Sequence, residues 1–88
     1  MQLRDYKKEY KRIALRRKLS GQDALSAVSN DGMLLRYVKN QTKEICLKAV
    51  KQDGIALQYV KNQTEAICIE AIKQHRDALK YVNESFFD

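Results

Sequence analysis

The chain is predicted to be all-α: a short, solenoid-like array of paired short helices behind a basic N-terminal cap helix. Three observations predict it. Residues 32–53 lie over residues 54–75 without a gap, with 13 of 22 positions identical, so a 22-residue unit is duplicated inside one 88-residue domain. Apolar residues within that unit fall at helical spacing, and capping residues stand where such helices would start and stop. The apolar fraction of 44% and charged fraction of 32% suit a folded domain, though one this small buries only about 60 to 65% of its unfolded surface.

Residues 1–19 come first. Leu3, Tyr6, Tyr10 and Ile13 draw a narrow apolar stripe along a charged helix, suited to packing on the first repeat as its cap. Around the stripe stand Arg4, Lys7, Lys8, Lys11, Arg12, Arg16, Arg17 and Lys18, opposed only by Asp5 and Glu9. The net charge of +6 therefore resides in this segment, because nine basic and nine acidic residues cancel from Leu19 onward. Such an imbalance points to an electrostatic partner, nucleic acid or an acidic protein.

Residues 20–31 form a degenerate copy: Ser20, Leu25, Ala27, Val28 and Asp31 fall in register with Thr42, Leu47, Ala49, Val50 and Asp53. Ser20 is expected to cap its helix. In residues 32–53 and 54–75 the second half reads T-x-x-I-C-[LI]-x-A-[VI]. Ile45 with Ala49, and Cys46 with Val50, are i,i+4 pairs on one apolar stripe. Thr42 and Thr64 are N-caps, with Glu44 and Glu65 in the first turn where the macrodipole favours them. Asp31-Gly32 and Asp53-Gly54 should end each helix in a left-handed turn, whereas His75-Arg76 predicts a less sharp stop.

The first half of the unit, G-x-x-L-x-Y-V-K-N, is read as a second short helix from Leu34 with Val38, Ala56 with Val60, and Ala78 with Val82. A strand there would make a leucine-rich repeat. That is rejected because the L-x-x-L-x-L-x-x-N frame is absent and Ala56 and Ala78 favour helix. Asn40-Gln41-Thr42 and Asn62-Gln63-Thr64 form tight corners. Residues 76–88 open a further partial copy and end in Phe86 and Phe87, which could fold back over an exposed end or meet a second copy of the chain.

The strings LLRYVKNQTKEICLKAVKQDG and ALQYVKNQTEAICIEAIKQ resemble the tandem domain-of-unknown-function repeats with signature AL-x-YVKNQT-x-E-IC-x-x-AVK, found in giant viruses, amoebae and some bacteria. The resemblance runs from Gly32 to about Val82. It implies a repeat of short helices with no assigned activity and no catalytic residues to carry over.

Periodicity explains most of the reactive residues as architecture. Cys46 and Cys68 lie on the apolar stripes of helices about 8 to 10 Å apart, too far for a disulfide, and are read as small core residues. With His75 they make no compact metal-ligand set, so neither metal nor cofactor is expected. The two N-x-T sequons recur because the corner recurs. Tyr37, Tyr59 and Tyr81 make an aromatic ladder between repeats, beside polar ladders of Arg36, Gln58 and Lys80 and of Lys39 and Lys61.

Positions at which near-identical copies disagree are expected to face solvent and to set specificity: Arg36 against Gln58, Lys43 against Glu65, Lys48 against Glu70. No run approaches the length of a membrane span, and the charged start MQLRDYKKEYKR lacks a signal peptide's apolar stretch, so the chain is expected inside the cell. The expected function is a non-enzymatic protein-interaction module, an adaptor or small inhibitor. The alternative is nucleic-acid binding through residues 1–18.

Overall fold

The computed structural model describes residues 20–87, so the predicted basic cap helix of residues 1–19, with its basic residues from Arg4 to Lys18, lies outside the described residues. Those described are all-α, with no strand among them. Three α-helices of ten residues each, α1 (Gly21–Asn30), α2 (Lys43–Gln52) and α3 (Glu65–Gln74), begin 22 residues apart. Between and after them run 3₁₀ helices η1 (Gly32–Tyr37), η2 (Gly54–Tyr59), η3 (Arg76–Tyr81) and η4 (Glu84–Phe87).

The cap chemistry sets these boundaries. Thr42 Oγ1 accepts from Ile45 N at 3.2 Å and Thr64 Oγ1 from Ile67 N at 3.3 Å, each satisfying one of the amides a helix start leaves unpaired. Ser20 occupies the same position before α1 but makes no side-chain cap bond, and Gly21 behind it has φ +53°. The expected Ser20 cap is therefore absent, and α1 begins on a left-handed glycine instead.

Each α-helix stops with the next residue in extended conformation, at φ −147° for Asp31 and −151° for both Asp53 and His75. The left-handed turn expected at Gly32 and Gly54 does not form, since Gly21 is the positive-φ glycine. The sequence demands glycine for another reason: a Cβ on Gly32 would run into the carbonyl oxygen of Ala49, and one on Gly54 into that of Ala71. The 3₁₀ helix thus lies directly against the backbone of the α-helix that follows it. Gly32 N also donates to Gln52 Oε1 at 2.6 Å.

The junction at His75 is as sharp as the others. His75 N donates to Ala71 O at 2.9 Å, the same distance at which Asp31 and Asp53 close α1 and α2. His75 Nδ1 then accepts from Asp77 N at 3.2 Å, as Asp31 Oδ1 does from Met33 N at 3.1 Å and Asp53 Oδ1 from Ile55 N at 3.0 Å. An imidazole nitrogen replaces a carboxylate oxygen as acceptor, and the turn survives.

These side-chain acceptors start the 3₁₀ segments. The tighter i→i+3 pattern runs from Leu34 N to Asp31 O at 3.0 Å and from Ala56 N to Asp53 O at 2.9 Å. Six residues are too few for an α-helix to satisfy its ends, and the shorter bond leaves fewer orphan groups.

Packing then runs from neighbour to neighbour: α1 on α2, α2 on α3, η1 on η2, η2 on η3, and η1, η2 and η3 against the α-helices beside them. The core is one layer of matching positions. Ala27, Ala49 and Ala71 are fully buried where helices approach closely, and Ala24 occupies the place that Cys46 and Cys68 take in the following helices. Leu34, Leu35 and Leu57 fill the space under the 3₁₀ helices.

Candidate interaction surface

Two of the corners hold a clamp that residue pattern alone does not reveal. Gln41 Nε2 donates to Tyr59 O at 2.8 Å while its Oε1 accepts from Lys61 N at 3.0 Å, so one amide bridges backbone groups of the next unit. Gln63 repeats this with Tyr81 O at 2.8 Å and Asn83 N at 2.9 Å. A faint signal is present in the sequence: the polar corner KNQT is identical in both copies, whereas the exposed position that follows it changes from Lys43 to Glu65.

The cysteines belong to the same device. Cys46 and Cys68 Sγ donate weakly to Gln41 and Gln63 Oε1 at 3.5 and 3.4 Å. Burial pushes both thiols up, with Glu65 adding to the effect on Cys68. A raised thiol holds little nucleophilic thiolate near neutrality. Cys46 does line a hollow between neighbouring corners with Thr42, Lys43, Asn62 and Thr64, and neither a histidine nor a carboxylate stands among the residues lining it. Among the described residues, no three His, Cys, Asp or Glu side chains gather as a metal site.

Among the described residues, two surfaces present clustered exposed charge. On the 3₁₀ side, Arg36 donates to the Tyr37 hydroxyl at 2.6 Å and lies 4.7 Å from its ring centroid, and Lys80 stands 5.5 Å from that of Tyr81. Hydrogen bonds to the Tyr37 and Tyr59 hydroxyls raise the Arg36 pKa further. Gln58, one unit on, instead donates to Ile55 O at 3.3 Å. Lys61 Nζ reaches back to Lys39 O at 3.2 Å, tying the second polar ladder together.

The other surface is the outer face of the α-helices. Lys43, Glu44, Leu47, Lys48 and Lys51 line a shallow groove on α2, which adjoins at Lys48 a second hollow formed with Gln22, Leu25, Ser26, Ser29 and Asn30 of α1. On α3 the same register carries Glu65, Ala66, Ile69, Glu70 and Lys73. Here Ile69 is 52% exposed, while Leu47, its counterpart on α2, is partly buried. Glu70 accepts from Gln74 Nε2 at 3.1 Å and lies 4.0 Å from Lys73 Nζ.

Of the six positions singled out for disagreement between copies, Arg36, Lys43, Lys48, Gln58 and Glu65 are exposed and Glu70 is partly covered. The fold brings Lys43 and Lys48 together in one groove, sets Glu65 and Glu70 on the neighbouring helix, and places Arg36 and Gln58 on the 3₁₀ side. Leu47 and Lys51, which complete the groove, were not singled out; their position on the outer arc of α2, opposite Ile45 and Ala49, was readable from the helical period.

Among the described residues no helix is long and apolar enough to cross a membrane. A family model described as Domain of unknown function (DUF4116) matches residues 23–64 and again residues 42–87. Each match spans roughly two of the 22-residue units, and the second is displaced by about one unit. No curated protein and no solved structure was found to match the chain.

Proposed function

The chain belongs to the family described as Domain of unknown function (DUF4116), and on that premise we propose that it is a non-enzymatic protein-interaction module, an adaptor or small inhibitor working through its surface. The observation that carries this reading is the split between a repeated frame and a varied exterior. Caps, glycines, clamps and core alanines recur every 22 residues, while Arg36/Gln58, Lys43/Glu65 and Lys48/Glu70 change charge on the same backbone. A frame that repeats while its outer charges change suits recognition more readily than chemistry, which needs convergent groups in a pocket.

In this reading the units form a solenoid-like row, and the module acts inside a cell. The resemblance to giant-virus and amoebal repeats supports a host protein as its target. The test exchanges the six positions between units, giving R36Q, K43E, K48E, Q58R, E65K and E70K in one chain. Composition and net charge are unchanged, and each helix receives residues its neighbour already carries. Proteins captured by the wild-type chain and not by the exchanged chain are the expected result. Equal capture by both, or none above background, contradicts the reading.

A second reading rests on the charge in residues 1–18, eight basic against two acidic. Clustered Lys and Arg release counterions from nucleic acid, so affinity would fall steeply with salt. Binding to DNA and RNA across a salt series, with and without neutralisation of Arg4, Lys7, Lys8, Lys11, Arg12, Arg16, Arg17 and Lys18, checks it. A flat salt dependence excludes it.

A further inference from the structure

The outer faces of α2 and α3 are complementary to each other, although they lie side by side on one molecule and cannot meet. On α2 an aliphatic residue, Leu47, is flanked by Lys43 and Lys48; on α3 the equivalent aliphatic residue, Ile69, is flanked by Glu65 and Glu70. Ile69 is 52% exposed and so offers apolar surface on this face. Among the described residues, neither Lys43 nor Lys48 forms an ion pair within 4.0 Å, whereas Glu70 has one partner, Lys73.

We propose that these two faces together form a self-recognition surface, on which a second copy of the chain docks about a two-fold axis running between α2 and α3, parallel to them. Such an axis lays α2 of one copy over α3 of the other and, by the same operation, α3 over α2. Lys43 and Lys48 then meet Glu65 and Glu70 of the second copy, and Leu47 covers Ile69, twice per dimer. The other two-fold arrangement, with the axis across the helices, would set α2 on α2 and lysine against lysine. The charge pattern selects the first.

Two positions oppose the pairing: Lys51 and Lys73 occupy equivalent places and would face each other, and Glu44 would lie over Ala66 beside Glu65 and Glu70 of the second copy. Glu70, 4.0 Å from Lys73 Nζ, partly offsets the repulsion between the lysines. Two alternatives fit less well. Residues 1–18 carry eight basic residues and would be repelled by the α2 lysines. Nucleic acid would meet Glu44 in the groove and find no aromatic lining residue on which to stack a base.

Two ten-residue helices side by side present a face about 15 Å long and about 20 Å wide, which falls short of a standard protein interface. Association should therefore be weak and salt-sensitive. This inference deepens the interaction reading by naming one partner, the chain itself.

Sedimentation of the full chain up to a concentration of about 0.5 mM, in low salt and again near 1 M salt, tests it. Wild type should form dimers in low salt and return to monomers in high salt. K43E/K48E places like charge on both helices, as does E65K/E70K, and each alone should stay monomeric. Mixed in equal amounts, the two variants should associate with each other, since one is acidic on both faces and the other basic. Chains carrying all four changes should dimerise as wild type does. A wild type that stays monomeric throughout, or variants that self-associate within two-fold of wild type, overturns the proposal. The six-residue exchange used above to test foreign partners leaves the complementarity intact, so the two readings can fail separately.

Discussion

At the scale of single residues, the glycines and glutamines hold the units in place by contacts that a one-dimensional pattern does not display. Gly54 is not in a left-handed conformation; it is small because the Ala71 carbonyl occupies the space a side chain would need. Gly21 is the reverse case, with φ +53° and nothing within 4 Å of the place a methyl group would take. Gly54→Ala should cost about 2 to 3 kcal/mol, because backbone must shift, and Gly21→Ala about 1 kcal/mol from local strain alone. Urea midpoints of the two variants check the order, and equal midpoints would contradict it. Gln63→Ala removes the part-buried bond to Tyr81 O and the exposed bond from Asn83 N, for a loss of about 1 kcal/mol by the same measurement. Asp-Gly was legible as a helix stop, but two physical causes of glycine, backbone freedom and close approach, look alike in sequence. The glutamine clamp was hidden because its acceptors and donors lie 18 and 20 residues away.

At the scale of elements, the α-helices were easier to read than the 3₁₀ segments because their signals are local. Thr42 and Thr64 each cap within three residues, and the i,i+4 apolar stripes stand on the buried side. A six-residue segment offers fewer than two α-helical turns, so Leu34 with Val38 could not separate a short α-helix from a 3₁₀ helix. Ser20 shows the limit of a cap read from residue type, since it stands at the N-cap position and its side chain makes no cap bond. Two alanine substitutions therefore separate position from interaction. Thr64→Ala should destabilise by about 1 kcal/mol, whereas Ser20→Ala should stay within about 0.5 kcal/mol of wild type. Thermal unfolding followed by circular dichroism measures both, and a Ser20→Ala loss matching that of Thr64→Ala would show that the α1 cap forms in solution.

At the scale of the whole molecule, stability depends on what stands next to each unit, because packing runs between neighbours. Leu57 and Leu79 occupy one position in consecutive units, yet Leu57 is 0% exposed beneath its neighbours and Leu79 is 49% exposed. The same substitution at the two places isolates the neighbour's contribution, since residue type, backbone and local cap geometry are held nearly constant. Leu57→Ala leaves a cavity between units and should cost about 3 kcal/mol. Leu79→Ala removes a side chain already half in water and should cost less than about 1 kcal/mol. If packing were instead dominated by contacts within each unit, the two losses would be similar. Denaturant titration of both variants decides between these cases. Hydrogen exchange adds the spatial pattern: Leu57→Ala should loosen α2 and α3 together, whereas Leu79→Ala should act only around η3 and η4.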